Sequence, residues 1–366
     1  ELLRIRGRTS LFCRSAISAA FPVPRLLPIL ASYPEETVNM LRPYYSSTTG
    51  FAYTALILGL AACSGRESAA KRAQSDKALA ESAAVYEEVA ARFRKVGETA
   101  NLEGPESARY DRDLDVWFVS NVNGTPTAKD NNGYISRLRP DGTPYNLKFI
   151  EGGKKGVTLN APKGLSIVGD TLWVADVDFA RAFNKRSGAA LANVTIRGRV
   201  KFLNGAAVGP DGAIYMTDTG IAFGPKGEIS HPGPDQVLRI TRGGATIALS
   251  SPTLAGPNGI TWDSKENRFV IVSFTGNGIF QWKPGDKDVK LLGTGPGQQD
   301  GVTVLPDGRI LATSWADSSL FVLDHGKTSK VATGIASPAD IDFDEKDSRV
   351  AVPQLLANKV QFWEAP

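Results

Sequence analysis

The sequence predicts an all-β protein whose main domain is a six-bladed β-propeller, and three recurring features predict it. A four-residue phrase occurs six times, a turn and a short apolar run follow each copy, and turn tripeptides punctuate the series. The copies lie at 105–108, 162–165, 203–206, 257–260, 299–302 and 338–341. From Glu106 to Asp340 is 234 residues over five intervals, a mean of about 47, which is typical of a propeller blade.

Each repeat unit contains several short segments whose residues predict β-strands. The apolar runs are 116–119, 171–174, 213–216, 268–271, 309–312 and 349–352, and each is followed by a further segment: 134–138, 181–183, 236–240, 278–282, 320–323 and 359–363. Several of these alternate apolar and polar residues, as half-buried antiparallel strands do. Pro-Asp-Gly tripeptides at 140–142, 210–212 and 306–308 are typical of hairpin turns. Outer-strand candidates such as 145–150 bring most units to four strands, the number in a propeller blade.

The sixth unit ends at Trp363, too early for a fourth strand. We therefore expect the segment around 95–103, just before the first copy, to supply that strand and close the ring. Closure would hide the sheet edges that an open blade exposes. The predicted propeller domain spans 96–366.

Composition excludes several classes of function. The net charge of +4 comes mostly from the first 62 residues, which carry six Lys or Arg against three Asp or Glu. The remainder has no basic stripe, so we expect no nucleic-acid partner. Both cysteines, Cys13 and Cys63, precede the repeats, which excludes a disulfide framework or a cysteine zinc site there. No complete phosphate-binding loop, Gly-x-x-x-x-Gly-Lys-Ser/Thr, is present.

The segment before the repeats has the character of a targeting signal. An apolar run at 51–60, too short to span a bilayer as a helix, ends in Leu60-Ala61-Ala62-Cys63. These four residues resemble the bacterial lipobox, which implies cleavage before Cys63 and its lipidation. Residues 1–62 are then a leader and signal peptide; the alternative is a buried apolar helix followed by a free cysteine.

Residues 63–95 are expected to form a lipid-anchored helical spacer, because from Arg66 to about Val96 they are rich in helix formers and contain no proline. With Ser64 after the cysteine, the expected location is the bacterial cell envelope, as an outer-membrane lipoprotein facing the periplasm. Membrane contact would be through the lipid anchor only, and we expect a monomer.

Polar residues stand at the start of the repeated phrases, where propeller strands converge on one end of the central channel. The expected ring is Glu106, Lys163, Asn204, Asn258, Asp300 and Asp340. Five of the six are oxygen donors, a set that favours Ca²⁺ or another hard divalent cation. The alternative is that Asn and Asp before Gly simply form turns.

At these residues the chain resembles the SMP-30/gluconolactonase/LRE-like (regucalcin-like) family over roughly 100–366. The most specific matches are Glu106-Ser107, Pro257-Asn258-Gly259 and Asp300-Gly301-Val302. The resemblance implies a six-bladed propeller with a divalent cation held by Glu106, Asn258 and Asp300. It also implies that Asn204 contacts substrate or metal.

The chain departs from this family at the sugar-recognition positions. Sugar-lactone members have an Arg two residues before the third-blade Asn and an Asp after it; here those positions are Phe202 and Gly205. Lys163 places a cation beside the expected metal. His231, in the Gly/Pro-rich stretch 220–235, is a candidate substrate-binding residue on a lid or an ordinary surface histidine.

The leading functional hypothesis is a divalent-metal-dependent hydrolase of a lactone or related cyclic ester. Asp300, or a metal-bound water that it orients, is the expected base, and Lys163 or Asn204 would assist at the oxyanion. Asn204, Asp340 and His231 would contact the small-molecule substrate. The rival hypothesis is a non-catalytic cell-envelope propeller that binds a protein or glycan, because fold alone does not determine function. A third interpretation gives the cation a purely structural role.

Overall fold

The computed structural model describes residues 93–196, 200–224 and 228–366, together with the helical residues Gln74, Asp76 and Lys77. The predicted leader, the lipidation site Cys63 and nearly all of the predicted spacer lie outside the described residues. In the described part of the chain, no helix is long and apolar enough to cross a membrane.

The described domain is a six-bladed β-propeller, as the sequence predicts. Five blades have four consecutive strands along the chain, apart from one inserted hairpin. They are β2 Pro105–Asp111, β3 Val116–Asn121, β4 Tyr134–Leu138 and β5 Pro144–Glu151; β6 Pro162–Val168, β7 Thr171–Asp176, β8 Phe179–Asn184 and β9 Ala190–Thr195; β10 Leu203–Val208, β11 Ile214–Asp218, β14 Gln236–Thr241 and β15 Gly244–Ser250; β16 Pro257–Asp263, β17 Arg268–Ser273, β18 Gly278–Trp282 and β19 Lys290–Thr294; β20 Gln299–Val304, β21 Ile310–Ser314, β22 Ser319–Asp324 and β23 Lys327–Thr333. The hairpin is β12 Ala222–Phe223 with β13 Ile229–Ser230, and two 3-10 helices span Pro252–Leu254 and Leu355–Ala357.

The sixth blade closes the ring with a strand from the other end of the domain. Its strands are β24 Asp342–Asp344, β25 Arg349–Gln354, β26 Lys359–Glu364 and, at the outer edge, β1 Arg94–Thr99. Strand β1 pairs antiparallel with β26, with Thr99 opposite Val360. The predicted closure is confirmed, and the closing strand begins at Arg94, so the last residues assigned to the spacer belong to the sheet instead.

Each repeated phrase begins or directly precedes the innermost strand of its blade, and the apolar run that follows is the second strand. The glycine in four of the phrases allows neighbouring innermost strands to approach closely. A Cβ at Gly164, Gly205 or Gly259 would lie 2.4–2.5 Å from a carbonyl oxygen of the next blade's strand. Only glycine fits such an approach, so the repeat of the phrase is a requirement of the channel packing.

The hydrophobic core is divided between the blades. Six clusters of buried residues are found in the described domain, and each joins two neighbouring blades. The cluster at the closure packs Trp117 and Ala108 of the first blade against Phe362 and Val360 of the sixth. These contacts fix the blades around one channel and thereby position the phrase residues.

Candidate functional site

Five of the predicted ring residues line one cavity at the end of the channel where the innermost strands begin. They are Glu106, Lys163, Asn204, Asn258 and Asp300, and we call them the polar ring. All five are at most 6% exposed. Each occupies the second position of its phrase, so the fold brings them together through the repeat itself.

Asp340 departs from the predicted ring by one residue. The position equivalent to Asp300 in the sixth blade is Ala339, because a Cβ at Gly301 would meet the Ala339 carbonyl oxygen just as one at Gly259 would meet that of Asp300. Asp340 therefore lies level with Ser107, whose hydroxyl donates to its Oδ2 at 2.6 Å. It is not among the residues that line the cavity.

Side chains at the ends of the second strands hold the polar ring in place. Asp218, the last residue of β11, accepts a hydrogen bond from the backbone N–H of Phe202 at 2.8 Å. Thr219 follows it and accepts one from the Asn204 side-chain amide at 3.1 Å. Thr217 donates to the Asn258 carbonyl oxygen at 2.6 Å. These bonds tie the third and fourth blades together and orient the Asn204 amide.

Several oxygens at this end of the channel are buried without a hydrogen-bond partner in the described residues. They are Glu106 Oε2, Asn204 Oδ1 and Asp300 Oδ1 in the polar ring, and Asp340 Oδ1 beside it. A buried oxygen without a partner costs free energy, so such atoms usually mark a site for a bound group. Oxygens from three blades that converge on one cavity can together coordinate a cation.

Burial changes the protonation of the two carboxyls in the polar ring. Desolvation raises the pKa of Glu106 well above its usual range, the nearby charges of Asp300 and Asp340 raise it further, and Lys163 opposes the shift. Desolvation also raises the pKa of Asp300 well above its usual range; Asp340 adds to this, while a hydrogen bond from Asn258 opposes it. Two buried carboxyls therefore repel each other when both are ionised, and a bound cation would relieve this repulsion.

Lys163 is a buried cation at the edge of the ring. Its Nζ donates to the Pro126 carbonyl oxygen at 2.8 Å and to that of Ala161 at 3.1 Å, and it lies 4.6 Å from the centre of the Phe202 ring. Burial lowers the pKa of Lys163 to about 8, although the carboxylates of Glu106 and Asp176 oppose this. Its third N–H has no acceptor in the described part of the chain, which leaves one donor for a ligand.

A second set of residues lines the cavity closer to its mouth, and the sequence analysis missed it. Each member directly follows the second strand of its blade, and its N–H donates to the carbonyl of the residue before the phrase. This upper ring consists of Val122, Thr219, Phe274, Trp315 and Leu355. Since the two strands are antiparallel, the upper ring lies about two residues nearer the channel end than the polar ring. The third residue after each apolar run was a signal that could have predicted it.

The inserted hairpin covers part of the cavity. Phe223 of β12 and Ile229 of β13 are cross-strand partners, and both line the cavity, as does Ile221. The Phe223 ring packs against the Phe202 ring with 5.5 Å between their centres. The cavity that these walls enclose has a volume of about 500 Å³, within the range of small-molecule sites.

His231 lies on the predicted lid segment but not in the cavity wall. Its Nε2 pairs with Asp235 Oδ1 at 2.6 Å, and its side chain is 32% exposed. Segment 220–235 therefore contributes Ile221, Phe223 and Ile229 to the cavity wall, but not His231. Substrate contact by His231 stays a prediction.

The polar ring offers oxygen donors to a cation and no nitrogen or sulfur ligand of the kind that His or Cys supplies. Among the described residues, no group of three or more His, Cys, Asp or Glu side chains is placed to hold a metal ion. The polar ring supplies two carboxylates, from Glu106 and Asp300, and its other oxygens are the amides of Asn204 and Asn258. Partnerless, buried hard oxygens fit Ca²⁺, which accepts amide as well as carboxylate ligands.

The fold and site together define a class: a six-bladed propeller with a polar channel end beneath a largely apolar cavity. Solved structures with this fold include a gluconolactonase from Xanthomonas campestris, 16% identical, with a TM-score of 0.54 over 75% of this chain and 89% of that one. A luciferin-regenerating enzyme is 11% identical, with a TM-score of 0.56 over 75% and 95%. A virginiamycin B lyase from Staphylococcus aureus, solved with quinupristin, is 15% identical, with a TM-score of 0.50 over 75% and 100%.

These similarities establish the SMP-30/gluconolactonase-like propeller fold for the chain. No protein-family model and no curated protein matches the sequence. At such low identity the likeness extends to the fold alone, and the named relatives carry out different chemistry on it. The function must therefore be argued from the site.

Proposed function

We propose that this protein is a divalent-metal-dependent hydrolase of a lactone or related cyclic ester. The observation that carries the proposal is the convergence of three buried oxygens, from Glu106, Asn204 and Asp300, on the floor of one cavity beside the buried cation of Lys163. None of the three has a hydrogen-bond partner among the described residues. The gluconolactonase with this fold supports the same reaction class.

Glu106, Asn258 and Asp300 would hold the cation, with Ca²⁺ preferred because the ligands are oxygens only. When bound, a divalent cation polarises a carbonyl oxygen and favours the ionised forms of both carboxyls. The residues come from three different blades, so the channel packing fixes their spacing without relying on mobile loops.

The remaining chemistry is assigned to side chains of the polar ring. Ionised Asp300 would accept a proton from the attacking water, since it is buried and is oriented by the Asn258 amide. The spare N–H of Lys163 would donate to the oxygen on which negative charge develops. The two carbonyls that already accept from Lys163 hold it in place, so little reorganisation is needed during the reaction.

A panel of lactones with and without a chelator tests the proposal, with metal analysis of the isolated protein. We expect hydrolysis of at least one lactone, loss with chelator and recovery with Ca²⁺. Asn258→Ala should abolish the recovery, and Asn146→Ala, an exposed asparagine on β5, is the matched control. Absence of turnover on every lactone with cation bound would reject the enzyme and favour the binding-module hypothesis.

We also propose that Cys63 anchors the propeller to the bacterial cell envelope as an outer-membrane lipoprotein. The Leu60-Ala61-Ala62-Cys63 sequence after an apolar run supports this. Incorporation of labelled fatty acid in a bacterial host should occur in the wild type and be lost in Cys63→Ser. Equal labelling of both, or none in either, would reject the anchor.

A further inference from the structure

The wall of the cavity differs chemically from its floor. The floor is the polar ring, whereas four of the five residues of the upper ring are apolar. Phe223 and Ile229 of the hairpin and Phe202 continue this apolar wall. The opposite side of the cavity, formed by the first and sixth blades, also carries the polar side chains of Glu103, Asn123, Asp130 and Asn358. A ligand that reaches the floor therefore has an apolar surface along the third to fifth blades and the hairpin.

Backbone hydrogen bonds and contacts between aromatic rings hold the apolar wall in a fixed position. The upper ring is positioned by backbone hydrogen bonds of 2.7–3.0 Å in all five blades concerned. Phe274 and Trp315 are in edge-to-face contact with 6.0 Å between ring centres, and Phe202 is in contact with Phe223. Rings held this way present a fixed surface that loses little entropy when a ligand binds.

We infer that the substrate is amphiphilic: a compact polar head for the polar ring, carrying an alkyl or aryl substituent that packs against the upper ring and the hairpin. This inference rests on the proposed function, because it assumes that the part of the substrate that reacts binds at the polar ring. A polyhydroxylated substrate is disfavoured, because the hydroxyls that face the upper ring and the hairpin would lose water without gaining hydrogen bonds. An alkyl chain gains from the same burial.

Binding of non-hydrolysable lactams separates this inference from the proposed reaction. The probes are a five-membered lactam with no chain, with a four-carbon chain and with an eight-carbon chain, and a polyhydroxylated lactam, all measured by calorimetry with Ca²⁺ present. We expect each methylene that becomes buried to tighten binding by about fourfold and the heat-capacity change to become more negative. Chain-length dependence without hydrolysis of any lactone would reject the reaction and keep the inference.

Phe223→Ser tests the hairpin's part in the wall. The variant should weaken binding of the eight-carbon lactam by roughly tenfold or more and leave the chain-free lactam unchanged. Leu291→Ser, at a 60% exposed leucine on β19, is the matched control and should change neither. Tighter binding of the polyhydroxylated lactam, or wild-type affinity independent of chain length, would overturn the inference even if the variant failed to fold.

Discussion

Two buried aspartates on the same face of the fold show how a structural carboxylate differs from a functional one. Asp176, at the end of β7, is fully buried, and it accepts from the backbone N–H groups of Asn160 and Ala161 and from Arg181. Asp300 is 5% exposed, and its Oδ1 has no partner in the described chain. The two side chains are nearly equally buried, but of the two only Asp300 has an oxygen without a hydrogen-bond partner among the described residues.

A carboxylate whose oxygens are all hydrogen-bonded stabilises the fold, whereas one with a buried oxygen that lacks a partner costs stability until a ligand binds. Asp340 is intermediate: its Oδ2 accepts from Ser107 and Arg109, while its Oδ1 has no partner among the described residues. If the distinction is correct, removing charge should have opposite effects on stability at Asp176 and at Asp300.

The largest expected effect is on the stability of Asp176→Asn. The substitution leaves the Arg181 guanidinium, itself 3% exposed, without its anionic partner. Breaking a buried pair from one side costs about 3–5 kcal/mol, which we expect to see in urea unfolding. A loss below about 1 kcal/mol would mean that Asp176 is not a structural anchor.

Asp300→Asn is the matched change at the functional site. We expect a loss of roughly 10²–10³-fold in kcat/KM, because the variant removes the proposed base and a cation ligand. Without cation, its free energy of unfolding should equal or exceed that of wild type, since a buried carboxyl whose Oδ1 has no partner among the described residues is replaced by a neutral amide. If the Asp300→Asn variant were both active and less stable than wild type, Asp300 would be a structural carboxylate and not a functional one.

The repeat predicted the fold and most of the polar ring. Regular spacing of the phrase fixes the blade number, and its second position faces the channel in every blade with a polar residue there. The sixth copy was misaligned because Asp340 looks like a ring residue, whereas the close packing of Gly301 shows that Ala339 is its equivalent. Only strand packing, which the sequence does not display, resolves a shift of one residue.

The apolar wall was harder to predict. Phe223 and Ile229 come from a hairpin that, among the described residues, only the third blade carries, so no repeat predicts them. Trp315 and Phe274 resemble core residues in the sequence, and their role depends on the antiparallel register that places them next to the phrase. For His231 the difference runs the other way: the sequence predicted a substrate-binding residue, whereas the structure pairs its side chain with Asp235 outside the cavity wall. Composition alone does not show that pairing.

The pH dependence of the free energy of unfolding tests Asp340, the carboxyl with one hydrogen-bonded oxygen and one without a partner among the described residues. Burial raises the pKa of Asp340 from 3.8 to about 6, although Arg109 and the Ser107 hydroxyl oppose the shift. Because the folded protein then binds more protons than the unfolded chain, stability should fall as the pH rises from about 4 to about 6, by up to about 3 kcal/mol. Subtracting the unfolding profile of Asp340→Asn gives this contribution together with the effect of the Asp340 charge on the pKa values of Glu106 and Asp300. A difference that is flat between these pH values would contradict the expectation.

The smallest expected effect is the change in Tm when the cation binds. It tests whether the oxygens without partners form a cation site. A ligand that binds only the folded state at one hundred times its Kd stabilises by about 2.7 kcal/mol, a rise of roughly 5–10 °C in Tm for a domain of this size. We expect Ca²⁺ to raise the Tm of wild type by this order and that of Asp176→Asn by the same increment, because that variant keeps the polar ring. The combined variant Asn258→Ala, Asp300→Asn should not respond. An equal response in all three proteins would place Ca²⁺ elsewhere and leave the partnerless oxygens without a bound group to account for them.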